Sequence, residues 1–533
     1  EKLIWSIQVD YWIFWTSTMS VRVPDFNNKT SRLKIHRSNI VLGKFRMKEK
    51  SLKLNFLMNM ILTMSSFIFP LITFPYISRI LLPIGTGRVS FATSIISYFS
   101  MFAQLGIPVY GIRACAKVRD NREKLTQTAQ ELLIINLITC VISYSMLFVA
   151  LISVPRLRSD RPLLVIVSFT IILTAIGMEW LYKALEQYTY ITIRSIIFKF
   201  IALIAMFLLI HEKSDYVIYG GISIFAASAS NVLNFVNAHK YIDFKPRGRY
   251  NIKQHLKPIG IFFAMSCATT IYVNLDSVML GFMTTDADVG YYNAAVKIKN
   301  ILVSIVTSLG TVLLPRASFY VENKMLDEFE KITKKALAFV VLLAVPLVLY
   351  FTLFAQEGIF FLSGETYRGA VVPMQIIMPT LLFIGITNIL GIQILVPLGR
   401  EKEVLYSEII GAIVDIIANA ILIPQYASTG AAIGTLLAEF SVLLFQCLML
   451  KDKVRNLFKG INYLNVLVAS MLGMILSLGI RAFDISNLGK LVISSLIYFG
   501  TYGLFLLLRR DRIVVEIWNT IIKKIHEGVY ENN

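Results

Sequence analysis

Asn293, Lys297, Asn300, Ser304 and Thr307 follow one another at steps of four, three, four and three residues, the spacing of one helix face, inside an otherwise apolar stretch. A lysine on such a face needs water or an anion, because an ammonium in hydrocarbon is costly. Lys199 lies near the middle of another apolar stretch, with Thr192 and Ser195 on its face. Together the two lysines could form a cationic lining for a diphosphate, which a compact point charge suits. Arg194 stands off that face, nearer one end of its stretch, and Arg79 stands at the end of the first apolar stretch. For both, snorkelling to headgroups competes with ligand contact. Lys299 is roughly opposite Lys297 on the helix, so only one can point inward, and Lys297 is the better placed.

Carboxylates also occur inside apolar stretches. Asp276 continues a face with Thr269 and Tyr272, and Glu408, Asp415 and Asn419 make another. They could balance the cations or take up H+ or Na+; a salt bridge holding helices together is the alternative. Glu179 and Glu439 are weaker candidates of the same kind. The four cysteines, Cys115, Cys140, Cys267 and Cys447, show no CxxC or Cys/His spacing, so neither a metal nor another cofactor is expected, nor a catalytic residue.

The elements that must position these groups are set by composition. Of 533 residues 56% are hydrophobic and 16% charged, with mean hydropathy +0.66, outside the range of soluble globular chains. The formal charge of +19 sits in short loops and tails between apolar runs, which reads as topology signals facing anionic lipid rather than a nucleic-acid face. Since roughly 20 apolar residues cross a bilayer core, fourteen spans are expected: 55–81, 89–110, 128–153, 163–182, 190–211, 215–237, 258–282, 289–313, 336–355, 373–396, 404–424, 429–450, 462–480 and 491–508. Loops after even-numbered spans hold 23 Lys and Arg against 8 in the others, which puts both termini in the cytoplasm. The loop with Arg156, Arg158 and Arg161 runs against that rule.

The expected organisation is an N-terminal cytoplasmic tail over 1–54, a six-helix lobe over 55–237, a basic linker over 238–257, a second six-helix lobe over 258–450, helices 13 and 14 within 451–508, and a basic tail over 509–533. Residues 1–46 lack an initiating Met and a spanning run, and Met47 begins a short basic lead into the first span; the preceding segment reads as a wrongly extended start or a flexible tail. Prolines at 70, 75 and 379 could free carbonyls to line a cavity, or simply kink their helices.

An internal repeat joins the polar faces. Aligning TGRVSFATSIISYFSMFAQLG with VGYYNAAVKIKNILVSIVTSLG sets Gly87 opposite Gly290, and in each copy an arginine follows 26 residues later, Arg113 and Arg316. Ser90, Ser94, Ser97 and Gln104 of span 2 then match positions 293, 297, 300 and 307 of span 8. Such stripes either glue packed helices together or face a shared hydrated cavity; the buried lysine favours the cavity.

These segments resemble the Wzx-type oligosaccharide repeat-unit flippases, the polysaccharide branch of the multidrug/oligosaccharidyl-lipid/polysaccharide (MOP) superfamily. The resemblance is carried by FPYISRIL at 74–81, LGIPVYGIRACAKVRDN at 105–121, GMEWLYKALEQY at 177–188, ITIRSIIFK at 191–199, LDSVMLGF at 275–282, TSLGTVLLPR at 307–316 and ILVPLGREKE at 394–403. It implies an all-α polytopic fold of about fourteen transmembrane helices, two pseudo-symmetric six-helix bundles plus two C-terminal helices, around a cationic cavity. It also implies a bacterial cytoplasmic membrane location, alternating access, an undecaprenyl-diphosphate-linked oligosaccharide as substrate, membrane lipids as surroundings, and polysaccharide polymerase and export machinery as partners. On this reading substrate would meet Lys297, Lys199, Asn293, Asn300, Ser94, Ser97, Gln104, Arg79 and Arg194, while Asp276, Glu408 and Asp415 would serve ion coupling or charge balance.

Three other functions compete with this reading. A MATE-type cation antiporter is disfavoured because residues 56–81 hold no carboxylate and carry Arg79. A lipid II flippase shares the diphosphate and stays open. A membrane polymerase or glycosyltransferase would need outer loops presenting catalytic groups, and the one DxD, Asp286 to Asp288, sits in a short turn.

Overall fold

In a computed structural model of the chain, residues 52–246, 250–459, 462–511, 513–516 and 518–519 are described, and among them every regular element is helical. Expectations for the tail before residue 52 lie outside this set. In lipid a helix satisfies its own backbone, which is why apolar runs of this length take no other form.

The first half contains α1 (Leu52–Gln104), α2 (Ile107–Ala116), α3 (Arg122–Ser153), α4 (Pro155–Arg158), α5 (Arg161–Gly177), α6 (Glu179–Ala184), α7 (Tyr188–Leu209), α8 (Tyr216–Ile224) and α9 (Asn231–Asn237). A π-helical turn, Phe225–Ala229, joins the last two. The second half contains α10 (Lys253–Met283), α11 (Asp286–Glu322), α12 (Leu326–Leu353), α13 (Ala355–Ser363), α14 (Val371–Ile377), α15 (Thr380–Thr387), α16 (Glu401–Leu450), α17 (Asp452–Phe458), α18 (Tyr463–Leu478) and α19 (Asn487–Leu508).

Ten helices are long and apolar enough to cross a membrane among the described residues, or eleven if Glu365–Ile377 and Thr380–Leu395, bent by 44° around Pro379, count as one span. Two of the ten run to 60 and 50 residues, far beyond one bilayer crossing. The 60-residue run is broken at Leu82 (φ 58°) and again at Leu105 (φ 47°) and Gly106 (φ 74°), between α1 and α2, and the 50-residue run at Ala427 (φ 46°), each time by backbone in the left-handed region. Pro70 and Pro75, by contrast, are carried inside α1. Val141, Phe148, Leu208 and Leu464 are among many large apolar side chains that point outward, as lipid contact requires.

Met47–Leu506 form one compact unit; among the described residues after it, Asp511 Oδ1 accepts the Ile513 amide at 3.1 Å. Within the first unit α11 packs most extensively against α1. The crossing is set by the two glycines that anchor the sequence repeat. A Cβ on Gly87 would lie 1.7 Å from the Asp286 carbonyl oxygen, and one on Gly290 would lie 2.1 Å from that of Pro83. Each contact is the other's repeat counterpart, because Pro83 and Asp286 each stand four residues before their glycine. Only glycine permits backbones this close.

Beside the crossing four charged residues interlock. Arg88 Nε donates to Asp286 Oδ2 at 3.1 Å and Arg88 lies 3.8 Å from Asp160; Arg156 pairs with Asp160 at 3.5 Å and also with Asp286, and donates to the Gly281 carbonyl at 2.8 Å. Arg156, which ran against the charge rule, is thus held by carboxylates of both halves. Arg158 and Arg161 donate to the carbonyls of Ile152 and Leu151. Asp288 closes a capping box with Thr285 at the start of α11. Both acids of the DxD therefore have structural partners.

The linker expected at 238–257 is sewn to α3. Gln130 Nε2 donates to the carbonyls of Asp243 (2.6 Å) and Lys245 (3.0 Å), and buried Glu131 accepts from the Asn251 amide and lies 2.7 Å from His255 Nε2.

Candidate functional site

A cavity of 410 Å³ opens between the halves. On one side, α1 supplies Thr93, Ser97, Ser100 and Gln104, a polar row at steps of four, three and four. Facing it, α10 supplies Ser266, Thr270 and Asn274 at steps of four, and α5 adds Thr170. The rest of the wall is apolar or backbone, including Ile96, Met101, Val167 and Ile224. No lining side chain among the described residues carries a charge.

Of the span 2 candidates, Ser97 and Gln104 lie on this wall and Ser94 is buried on another face of α1. The span 8 stripe faces elsewhere. Asn293 Nδ2 donates to Ser277 Oγ at 3.0 Å, tying α11 to α10, while Asn300 is exposed. The row opposite span 2 comes from α10, and the spacing of Ser266, Thr270 and Asn274 was the sequence signal for it.

The cationic candidates divide by their partners. Arg79 is exposed and donates to the carbonyls of Phe360 (3.4 Å), Phe361 (2.6 Å) and Pro75, gripping the C-terminal end of α13. Arg194 is buried, donates to Asn231 Oδ1 at 3.0 Å and lies 3.7 Å from Glu179, which Lys183 also meets at 2.8 Å. Lys297 and Lys199 have neutral neighbours. Lys297 Nζ stands 3.5 Å from the centroid of the Phe74 ring, and Lys199 Nζ donates to Ser65 Oγ (2.8 Å) and Ser66 Oγ (3.0 Å). Neither makes an ion pair among the described residues, and neither lines the cavity. A cation over an aromatic face gains about 0.5–2 kcal/mol, which does not neutralise its charge for a passing anion.

The second half gathers its carboxylates. Asp276 of α10 accepts from Asn419 Nδ2 at 2.7 Å, from Thr435 Oγ1 at 3.1 Å and from the Tyr292 hydroxyl. Asn419 Nδ2 also reaches Asp415 Oδ1 at 3.2 Å. All five groups are buried, and Glu439 is buried one turn beyond Thr435. Asn419 Oδ1 has no partner and points at Gly434, where a Cβ would lie 2.2 Å away. Two carboxylates, an orphaned amide oxygen and a hydroxyl form an oxygen set of the kind hard cations and protons use. Glu408, seven residues before Asp415, is exposed and outside this group.

The sequence matches the family model of polysaccharide biosynthesis proteins over residues 52–321, and the MatE family model over residues 262–421. It is 26% identical to the "Putative O-antigen transporter" of Escherichia coli over 73% of this chain and 94% of that protein, and 25% identical to a protein of the same name from Shigella dysenteriae over 74% and 98%. In fold it is similar to the lipid II flippase MurJ in an inward closed conformation, with a TM-score of 0.64, 16% identity, and coverage of 86% of this chain and all of that one. These relatives are transporters and flippases rather than enzymes. A multi-pass helical bundle with a polar cavity between its halves and a model match across more than half its length has one family reading: the chain belongs to the polysaccharide biosynthesis proteins, as a Wzx-type member of the MOP superfamily.

Proposed function

We propose that this protein turns undecaprenyl-diphosphate-linked oligosaccharide repeat units from the cytoplasmic to the outer leaflet of the bacterial cytoplasmic membrane, with both its termini in the cytoplasm, to supply surface polysaccharide synthesis. The observation that carries the reading is the uncharged polar cavity between the two halves, in a chain that matches proteins named as O-antigen transporters along almost their whole length. Sugars pass through the cavity while the polyprenyl tail stays in lipid. Lys297 and Lys199, neither of which makes an ion pair among the described residues, attract the diphosphate. Alternating access rocks one half against the other about the Gly87–Gly290 crossing, and the Arg88–Arg156–Asp160–Asp286 network holds the halves together on that side. Uptake of H+ or Na+ at Asp276 and Asp415 couples the cycle to an ion gradient. The polymerase and export machinery receive the product.

The test is leaflet-resolved: loss of the protein should leave diphosphate-linked repeat units on the cytoplasmic leaflet, and Lys199→Ala with Lys297→Ala should do the same while the protein still inserts. Accumulation on the outer leaflet would point to a polymerase instead. A second reading, a cation-coupled antiporter, is favoured by the buried carboxylates and the MatE match; drug sensitivity without repeat-unit accumulation would select it.

A further inference from the structure

The chemistry of the cavity wall restricts what it can hold. Its polar groups are hydroxyls and carboxamides, and several have already spent a donor inside the protein. Thr93 Oγ1 donates to the Val89 carbonyl (2.7 Å), Ser97 Oγ to the Thr93 carbonyl (2.8 Å), Gln104 Nε2 to Ser100 Oγ (2.8 Å) and Asn274 Nδ2 to the Thr270 carbonyl (3.0 Å). Each carboxamide keeps its oxygen and a second N–H, and Ser100, Ser266 and Thr270 add hydroxyls, so the wall offers both donors and acceptors but no charge. The Thr170 hydroxyl on the same wall has no partner. An ionised carboxylate or phosphate would meet no counter-ion within the lining, and burying an unpaired charge is strongly unfavourable. A sugar hydroxyl both donates and accepts, which matches hydroxyls and carboxamides, and the apolar remainder of the wall suits the C–H faces of a pyranose. At 410 Å³ the space falls in the range of small-molecule sites, roughly 300–1,000 Å³.

We infer that this cavity is a glycan subsite selecting uncharged, hydroxyl-rich sugars over uronic acids and phosphate-substituted sugars, so that the charge of the substrate is read elsewhere in the protein. The inference rests on the flippase reading and adds the class of sugar. It assigns Gln104 and Thr270, on facing walls, as specificity determinants.

The experiment uses the full-length protein in proteoliposomes with two synthetic polyprenyl-diphosphate disaccharides, one of neutral hexoses and one with a hexuronic acid in place of the second hexose. The neutral probe should cross about tenfold faster or more, as the loss of one or two hydrogen bonds to an unpaired charge requires. Thr270→Lys should narrow or reverse that ratio by supplying a counter-ion, and Gln104→Lys carries the same charge to the opposite wall should the first variant fail to insert. Equal transport of both probes, or a ratio unmoved by either lysine, overturns the inference and leaves the flippase reading standing. If neither probe moves in the wild-type protein, the flippase reading falls and the inference with it.

Discussion

The two copies of the repeat share a backbone crossing and differ in chemistry. Fourteen residues before Gly87 stands Thr73, and fourteen before Gly290 stands Asp276; two residues after them stand Val89 and Tyr292. Thr73 bonds within its own helix, to the Phe69 carbonyl at 3.0 Å, and Val89 is buried in the apolar core. Asp276 and Tyr292 instead join Asn419 and Thr435 in a closed oxygen cluster. In the first copy Ser97, Ser100 and Gln104 face the uncharged cavity, whose opposite polar row comes from α10 of the second half. Steric constraint at two glycines sets the backbone crossing, while nothing in that constraint dictates which side chains surround it, so the two copies carry different polar groups on a shared contact.

Several substitutions would break or sharpen that division. The largest effect should come from the shared part. Gly87→Val or Gly290→Val forces a side chain into a carbonyl, and overpacking of this kind costs about 1–3 kcal/mol or more; thermal unfolding of the detergent-solubilised protein should show loss of the folded form, and an unchanged midpoint would mean that the close crossing is not real. Asp276→Asn removes an ionisable carboxyl from the buried oxygen cluster and should lower gradient-driven transport about tenfold or more. Thr73→Val, at the equivalent place in the first copy, should leave transport within about twofold. Equal losses at the two positions would erase the asymmetry. Arg156→Ala with Arg88→Ala leaves Asp286 and Asp160 without their cations, and spin labels on α1 and α11 near the crossing should report a population with the two ends apart. Smallest, Gln130→Ala removes three bonds to the linker, to the Asp243 and Lys245 carbonyls and from the Tyr250 hydroxyl, at about 1 kcal/mol each, and limited proteolysis between residues 238 and 257 should quicken modestly while transport persists.

Much of this was legible in the chain. The glycine register that aligned the two copies on paper proved to be a physical contact, because both depend on the same requirement for a residue without a Cβ. The membrane-spanning helical architecture followed from hydropathy alone. Individual site residues were also visible, but their company was not. Steps of three and four leave a stripe wide enough that Ser94 and Ser97 look equivalent, and only packing turned Ser97 to the cavity and buried Ser94. Arg156 looked like an exception to the charge rule until Asp286, 130 residues later, came beside it.

The sequence by itself determined what is local: which stretches must be helical in lipid, which residues repeat at one helix face, and which ionisable groups lie where hydrocarbon would penalise them. Tertiary structure decided what is pairwise and distant. It paired α1 with α10 across the cavity, drew Asp276, Asp415 and Asn419 from two helices into one oxygen cluster, and left Lys297 and Lys199 against neutral partners while Arg79 and Arg194 were engaged. Periodicity fixes a face only relative to its own helix axis, so the partner of that face is set by how the helices pack.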